Sequence, residues 1–345
     1  MIAVDFFSGA GGLTRGLVDA GIPVVLGIDA DGGCRETYER NNPGSRFLHA
    51  DVRDLRAEEI ANTIARVHRD ELLLAACAPC QPFAQLNRQN RRDGRATLLG
   101  QFARFVQALR PGQVFVENVP GLARVSGSST LSRFRQTLRR LGYGYWEGVI
   151  DAKIYGVPQT RRRYVIIAVR EVEPAPPPAT HGPGFLPFET VENAIHAYPA
   201  LEAGEVHPNV PNHRAACLSP LNLERIRHTP HDGGDRTVWP PHLWLNCHRN
   251  GYRGHTDVYG RMHWRRPAPT LTCKCNSLTN GRYGHPEQDR AISLREAARL
   301  QSFDDNYVFY AEAQSHLASQ IGNAVPVRLA TVVGNHIRRL AGEIV

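Results

Sequence analysis

The stretch IAVDFFSGAGG at Ile2–Gly12 sets the fold that this sequence predicts. Its apolar run Ile2–Phe7 is typical of a short strand, and helical spacing of apolar residues begins at Leu13. Glycines let the connecting turn approach a ligand closely, and the N-terminus of the following helix offers free N–H groups. The turn does not match the G-x-G-x-x-G pattern, because Thr14 occupies the last glycine position. The stretch therefore favours a nucleoside cofactor, with a purely structural turn as the alternative.

The alternation of strands and helices continues to about residue 170. Further strands are predicted at Val24–Ile28, Leu72–Ala75, Val114–Val116 and Tyr164–Val169, and helices at Arg35–Asn41, Ala57–Val67, Leu98–Leu109 and Leu131–Leu141. Strands alternating with helices of this length predict an α/β fold with a doubly wound, mostly parallel sheet. The rhythm ends at a proline-rich connector, residues 174–178, and a loop-rich region follows. Helical spacing returns at Leu294–Leu300 and Val327–Leu340.

The composition narrows the class of protein. The chain has 345 residues with 42% hydrophobic and 21% charged residues, which excludes general disorder, and it lacks the run of about 18 apolar residues that spans a membrane. Its first residues lack the basic start of a signal peptide. Its seven cysteines are odd in number and scattered, which argues against a secreted protein held by disulfides. Neither Cys273–Cys275 nor Cys247–His248 matches a zinc pair. We therefore expect a cytoplasmic protein that binds no metal and no membrane.

The net charge of +8 favours a polyanionic partner. Residues 1–170 carry 24 Lys+Arg against 16 Asp+Glu, so the excess lies in the first half of the chain. Of the 41 cations, 39 are arginines, which suit bidentate contacts to phosphate and guanine. Codon bias in a GC-rich genome explains the same preference more simply.

Two reactive side chains follow predicted strands. Cys80, in APCQPF at 78–83, comes after Leu72–Ala75, and Glu117 comes after Val114–Val116. At the carboxyl edge of a parallel sheet, a thiolate can act as a nucleophile and a protonated acid can donate to a ring nitrogen. An inert core cysteine and a helix-capping acid are the alternatives.

Other polar groups point to a cofactor and to a polyanion. Asp29 ends the second predicted strand, where an acid can bind ribose hydroxyls, and Asp51 could reach an adenine edge. Gln159, Arg161 and Arg163 would share one face of a strand-like segment and suit a carbonyl and phosphates. Solvated charges are the alternative for both groups.

Six motifs in this order resemble those of the DNA cytosine-5 methyltransferases of bacterial restriction–modification systems. They are FSGAGG (7–12), APCQPF (78–83), ENV (117–119), QTRRR (159–163), RPAPTLT (266–272) and IGNAVP (321–326). The resemblance implies a Rossmann-like domain that binds S-adenosylmethionine and releases S-adenosylhomocysteine, formed by residues 1–170 plus 290–345. Residues 171–289 would form a smaller, loop-rich target-recognition domain.

The resemblance also implies roles for individual residues. Cofactor contacts would come from Phe7, Ser8, Gly9, Gly11, Gly12, Asp29, Ala30, Asp51, Val52, Pro79, Leu98 and Asn323. Catalysis would involve Cys80, Glu117, Arg161 and Arg163. DNA would be bound by Gln81, Arg88, Arg91, Arg92, Arg95, Gln159 and Thr270, with the segment Gln85–Ala96 as a mobile catalytic loop. Ala30 stands where a bulkier residue is common.

By this resemblance, the Cys80 thiolate adds to carbon 6 of a cytosine flipped out of duplex DNA, Glu117 protonates N3, and carbon 5 takes the methyl group. The partner would be double-stranded DNA, the enzyme a monomer, and any cognate restriction endonuclease a separate protein. Cys77 and Ala78 replace the usual Gly-Phe or Gly-Pro, and we interpret Cys77 as a packing residue. The alternatives are a tRNA cytosine-5 methyltransferase, a silent DNA-binding relative and a nicotinamide oxidoreductase.

Overall fold

A computed structural model of the chain describes residues 1–78, 98–124, 129–249 and 257–343. Within these ranges one sheet contains seven strands. They are β1 (Ile2–Phe6), β2 (Val24–Asp29), β3 (Arg46–His49), β4 (Leu72–Cys77), β5 (Gln113–Asn118), β6 (Tyr143–Asp151) and β7 (Arg162–Arg170).

Helices connect the strands and continue through the rest of the chain, together with short 3-10 turns. The α-helices are α1 (Gly12–Asp19), α2 (Arg35–Asn41), α3 (Ala57–Thr63), α4 (Leu98–Leu109), α5 (Gly121–Arg124), α6 (Ser129–Arg140), α7 (Val191–Ile195), α8 (Pro220–Arg227), α9 (Leu294–Leu300), α10 (Gln314–Asn323) and α11 (Val327–Leu340). No helix in the described ranges is both long and apolar enough to cross a membrane.

The strand order is β3-β2-β1-β4-β5-β7-β6. Strands β1 to β5 pair in parallel, whereas β7 lies between β5 and β6 and runs antiparallel to both. The predicted α/β class, with a mostly parallel sheet of Rossmann type, is confirmed. The sequence pattern predicts neither β3 nor β6. Strand β6 lacks the signal because this edge strand is only partly buried and carries polar residues and two glycines in place of a continuous apolar run.

The chain forms two compact units. The first unit contains Met1–Tyr155, Arg162–Ala179 and Val325–Val345, and the second contains Gly156–Arg161 and Thr180–Ala324. Residues 290–324 therefore belong to the second unit, although the sequence analysis grouped them with the first domain. Hydrogen bonds from Arg290 to Leu201 O (3.2 Å) and from Arg295 to Pro211 O (2.9 Å) join these residues to the rest of that unit. Catalytic and recognition roles for these parts stay predictions.

The core of the first unit forms where β1 meets α4. Phe6, which is fully buried, packs against the rings of Phe102 and Phe105 with centroid distances of 5.2 and 4.9 Å. The apolar residues of β4 and β5 are buried, which is why β4 is a continuous hydrophobic run and β5 is hydrophobic at Val114–Val116. The packed core holds the carboxyl ends of β1, β4 and β5 in fixed positions.

Gly16 permits a close approach of α1 to α11. A Cβ at this position would lie 2.4 Å from the Cβ of Ala330 and 2.5 Å from the carbonyl oxygen of Val327. We expect Gly16→Ala to lower the free energy of unfolding by about 1–3 kcal/mol, because the two helices must separate. Gly100→Ala in α4 is the matched control, since its nearest neighbour would be 3.9 Å away.

The control should instead gain about 0.5–1 kcal/mol from the better helix propensity of alanine. Urea unfolding of both variants measures the difference. Equal effects of the two substitutions would contradict the close approach at Gly16.

Candidate functional site

The turn after β1 has the bent backbone that its glycines allow. Phe7, Gly9 and Gly11 have φ values of 60°, 49° and 87°, all in the left-handed region. For Phe7 this conformation is strained, so the surrounding hydrogen bonds must hold it. The amide of Ser8 donates to Ile28 O (3.1 Å), and that of Gly11 to Ser8 O (2.9 Å). The turn is thereby held at the carboxyl ends of β1 and β2, and α1 begins directly after it.

Asp29 joins this turn to β2. Its Oδ2 accepts from the amide of Gly9 (2.8 Å), and its Oδ1 accepts from the amide of Asp31 (2.8 Å). Burial raises the pKa of Asp29, while these backbone hydrogen bonds act in the opposite direction. Ala30 is exposed beside it, and its carbonyl oxygen lies 3.0 Å from Nε2 of His49.

The turn after β3 lies next to Asp29. The amide of Ala50 donates to Asp29 O (3.0 Å). Asp51 is partly buried, and hydrogen bonds from Arg53 lower its pKa. Val52 is 3% exposed, and its carbonyl accepts from Nη2 of Arg104 (2.8 Å). The structure thus places the candidate cofactor residues from β1, β2 and β3 at one edge of the sheet, because parallel strands all end on the same side.

A polar atom in the turn fits a ligand there. Ser8 is 7% exposed, and its Oγ is buried with no hydrogen-bond partner among the described residues. A buried hydroxyl without a partner is unfavourable, whereas a polar ligand in the turn would satisfy it. Leu98, the first residue of α4, is buried in the same unit. Asn323 ends α10 in the second unit and donates to Oγ of Ser319 (3.1 Å).

A buried hydrogen-bonded chain lies behind the turn. Thr14 donates to Oδ2 of Asp5 (2.7 Å), Tyr38 lies 2.9 Å from Thr14, and Ser45 lies 2.7 Å from Tyr38. Since the Thr14 hydroxyl proton points to Asp5, Tyr38 donates to Thr14 and Ser45 donates to Tyr38. Asp5 is fully buried, and this burial raises its pKa to about 7.

The raised pKa of Asp5 predicts a pH-dependent stability. Between the ordinary value of 3.8 and about 7, the folded protein binds this proton and the unfolded chain releases it. The proton on Asp5 therefore stabilises the folded protein at low pH, and this contribution to the free energy of unfolding is lost as pH rises through about 7. We expect Asp5→Asn, which keeps an acceptor for Thr14, to reduce the fall in thermal midpoint between about pH 5 and about pH 8.

Thermal unfolding at a series of pH values measures this, with the exposed Asp54→Asn as the control. An Asp5→Asn profile parallel to that of the unmodified protein would show that Asp5 does not titrate in this range.

A second group of side chains lies where β4, β5 and β7 meet. Cys77 is directly opposite Glu117 in the parallel β4–β5 pair, and Glu117 is opposite Val165 in the antiparallel β5–β7 pair. Arg163 shares the face of Val165, because it lies two residues away on the same strand. These three strands therefore direct Cys77, Glu117 and Arg163 toward one point.

Glu117 is held by both of its carboxylate oxygens. Nε of Arg163 lies 2.7 Å from Oε1, and the Cys77 thiol donates to Oε2 with a sulfur–oxygen distance of 2.8 Å. The side chains of Glu117 and Arg163 are 3% and 12% exposed. A buried carboxylate needs such partners, and this ion pair between strands supplies one of them. The neighbouring Asn118 donates to Ala78 O (3.2 Å), which fixes the chain just before residue 79.

Gln159 and Arg161 lie elsewhere. Both belong to the second unit, where Nη1 of Arg161 donates to Oε1 of Gln159 (3.4 Å). The predicted common face that includes Arg163 stays a prediction. Gln159 is fully buried, and its Oε1 accepts from the amide of Leu271 (2.9 Å). Gln159 also pairs with Ala268 through an isolated β-bridge, which lies before the start of β7.

Arg161 connects two of the sequence motifs inside the second unit. Its guanidinium donates to the carbonyls of Leu271 (2.9 Å), Gly322 (3.0 Å) and Ala324 (3.1 Å). Thr270 is exposed and donates to Thr160 O (2.7 Å). Arg161 thus ties RPAPTLT to IGNAVP, and its role near the target base stays a prediction.

Several predicted site residues lie outside the described residues. They are Pro79, Cys80, Gln81, Arg88, Arg91, Arg92 and Arg95. The sequence analysis missed the contact of Cys77 with Glu117, having interpreted Cys77 as a packing residue. The signal for this contact was the position of Cys77 at the end of β4, the strand next to the one that carries Glu117.

Known proteins resemble this chain along most of its length. The model of the family described as C-5 cytosine-specific DNA methylase matches residues 1–339. The type II methylase M.HgiDII of Herpetosiphon aurantiacus is 38% identical over 340 residues, which cover 97% of this chain and 94% of the relative. The type II methyltransferase M1.HphI of Haemophilus parahaemolyticus is 31% identical, covering 98% and 86%.

A solved structure shares the fold. It is a crystal structure of a protein described as a prophage-encoded DNA modification methyltransferase (E. coli), with a TM-score of 0.78 and 23% sequence identity. The match covers 99% of this chain and 100% of that one.

Proposed function

Because this chain belongs to the C-5 cytosine-specific DNA methylases, we propose that it methylates carbon 5 of a cytosine within a specific duplex DNA sequence. The methyl donor in this proposal is S-adenosylmethionine, and the reaction passes through a covalent adduct between Cys80 and the base. As in its type II relatives, methylation would protect DNA from a separate restriction endonuclease.

The observation that carries this proposal is the buried Glu117, held by Arg163 and Cys77 at the carboxyl edge of the sheet. Strand β4 ends at Cys77, so Cys80 follows three residues later along the chain. An acid fixed close to the start of the nucleophile segment is what addition to a pyrimidine ring requires, because negative charge develops on the ring as the thiolate adds.

Carbon 5 of cytosine is a poor nucleophile. Addition of the Cys80 thiolate to carbon 6 makes the ring enamine-like, provided that Glu117 donates a proton or a strong hydrogen bond to N3. S-adenosylmethionine supplies the electrophilic methyl group that carbon 5 accepts. Loss of the carbon 5 proton and elimination of Cys80 then restore the aromatic ring.

Residues of the first unit fit the cofactor. The turn containing Phe7, Ser8 and Gly9 offers a ring, a buried hydroxyl without a partner among the described residues and a closely approachable backbone, and Asp29 offers a carboxylate for ribose hydroxyls. Asp51 and Val52 would contact the adenine edge. Gly11, Gly12, Ala30, Pro79, Leu98 and Asn323 remain proposed contacts from the family resemblance.

For DNA, we propose that the basic segment following Cys80 neutralises phosphates, which carry no sequence information. Its cations are Arg88, Arg91, Arg92 and Arg95, and Gln81, Gln159 and Thr270 would contact the bases or backbone near the target. The target cytosine must leave the stack at a cost of a few kcal/mol. We further propose that residues 171–289 read the sequence and that the enzyme acts as a cytoplasmic monomer on the nucleoid.

The proposal is tested by methyl transfer from labelled S-adenosylmethionine to duplex DNA and, in parallel, to tRNA. We expect labelled DNA only, with 5-methylcytosine at one recurring sequence when host DNA is analysed by methylation-sensitive sequencing. Labelled tRNA without labelled DNA would support the tRNA alternative, and the absence of label in both would contradict the enzymatic proposal.

A further inference from the structure

The Cys77 thiol touches the acid that we propose for catalysis. Its Sγ donates to Oε2 of Glu117 over 2.8 Å, while Nε of Arg163 lies 2.7 Å from Oε1. We propose that Cys77 is a positioning residue for methyl transfer, which fixes the plane of the Glu117 carboxyl and serves the oxygen that exchanges a proton with the base. This inference rests on the proposed function, since it assigns the thiol a part in that reaction.

The geometry shows why two contacts are needed. Glu117 ends in a carboxyl group that can rotate about its last bond, and a torsion of this kind has only a broad preference. Arg163 is itself anchored, because its Nη1 donates to Arg162 O (2.8 Å), so it fixes Oε1 in space. A donor on the second oxygen then defines the plane of the group, and Cys77 supplies it from the adjacent strand in direct register.

The chemistry of a thiol suits the second oxygen. Arg163 carries a permanent charge and donates only, so Oε1 stays an acceptor throughout. Oε2 is therefore the oxygen that can carry the proton for N3. A thiol is a weak donor and a weak acceptor on a freely rotating bond, so it can donate to the ionised Oε2 and accept from the protonated one.

The proton and the electron pairs balance in this scheme. When the Cys80 thiolate uses its lone pair to bond to carbon 6, N3 takes the proton from Oε2, and the resulting carboxylate accepts from the Cys77 S–H. After carbon 5 has taken the methyl group, its proton leaves to solvent water and the C–H pair forms the carbon 5–carbon 6 double bond. Cys80 is then expelled with its bonding pair on sulfur, and the N3 proton returns to Oε2. Cys77 is neither oxidised nor alkylated, and its own proton stays on sulfur.

The test compares Cys77→Ala, which removes the donor, with Cys77→Ser, which keeps a rotatable donor and acceptor. We expect Cys77→Ala to lower kcat by about tenfold, as for the loss of one hydrogen bond to a charged group, while KM for duplex DNA stays within about twofold. Cys77→Ser should recover most of kcat. Single-turnover transfer of the labelled methyl group should show the same difference, because the chemical step is affected.

Cys34→Ala is the matched control, since Cys34 is another thiol of the first unit beside a carboxylate, Oδ2 of Asp31 at 3.7 Å, and is buried where Cys77 is partly buried. Its kcat should equal that of the unmodified enzyme even if its thermal midpoint falls. Should Cys77→Ala fail to fold, the shape-matched pair Cys77→Val and Cys77→Thr gives the same comparison in a strand position that suits β-branched residues.

Three results would overturn the inference. They are an unchanged kcat in the variant without a donor, an equal loss in the donor-retaining and donor-free variants, and an equal change in kcat and KM. An unmodified enzyme that methylates no DNA would instead remove the proposed function and this inference with it. The unmodified protein, assayed in the same series, therefore separates the two failures.

Discussion

Cys80→Ala is expected to abolish methyl transfer, with a fall in the single-turnover rate of about ten-thousand-fold or more. The loss should be this large because the unactivated ring cannot accept a methyl group at carbon 5. Binding of S-adenosylmethionine and of duplex DNA should be retained, since the substitution removes one sulfur atom. Labelled methyl transfer measures the rate, and equilibrium dialysis with the labelled cofactor measures binding.

Cys217→Ala is the control for this variant, because Cys217 is an exposed thiol in the second unit. It should leave both rate and binding unchanged. If Cys80→Ala retained substantial turnover, the covalent adduct would be excluded and another route to activate carbon 5 would have to be found.

Glu117→Gln is the second substitution with a large expected effect. It removes the proton that N3 requires and should lower kcat by about 10²- to 10⁴-fold, the usual range for a general acid. The amide keeps the size of the side chain but leaves the buried Arg163 without its counter-charge, so stability should also fall. Thermal unfolding and labelled methyl transfer on the same preparation separate the two losses.

A double-mutant cycle completes this test. Arg163→Met alone should cost about 3–5 kcal/mol of stability, because it leaves a buried carboxylate, whereas Glu117→Gln combined with Arg163→Met should regain part of the loss.

Glu147→Gln is the matched control. Its partner Arg135 lies 2.7 Å away in a more exposed pair (31% and 24%), so activity should not change. Equal losses of activity in Glu117→Gln and Glu147→Gln would contradict a catalytic role for Glu117.

Much of the fold was predictable from local patterns. Strand β4 is an uninterrupted apolar run, β5 contains the apolar stretch Val114–Val116, and the glycine turn between β1 and α1 has a recognisable spacing. Strand β6 escaped prediction because an edge strand buries only part of its surface and needs no apolar run. Residues 290–324 group with the second compact unit, because the buried contacts of Arg290 and Arg295 connect segments far apart in sequence.

The candidate site likewise has features that the sequence predicts and features that it does not. Because parallel strands end at a common edge, the sequence alone predicts that Gly9, Asp29 and Glu117 lie at the carboxyl edge of the sheet. The family motifs also sufficed to identify the reaction class. These conclusions depend on parallel strand direction and on residue type, which the strand–helix alternation and the motifs indicate.

Only the tertiary structure determined which side chains meet Glu117. Strand β7 enters the sheet antiparallel beside β5, and its register carries Arg163 to one carboxylate oxygen while β4 carries Cys77 to the other. Arg161, two residues earlier in the sequence, donates to the carbonyl groups of Leu271 and Gly322 within the second unit. Such pairings depend on register between strands distant in sequence, and register is set by packing of the whole sheet rather than by any one segment.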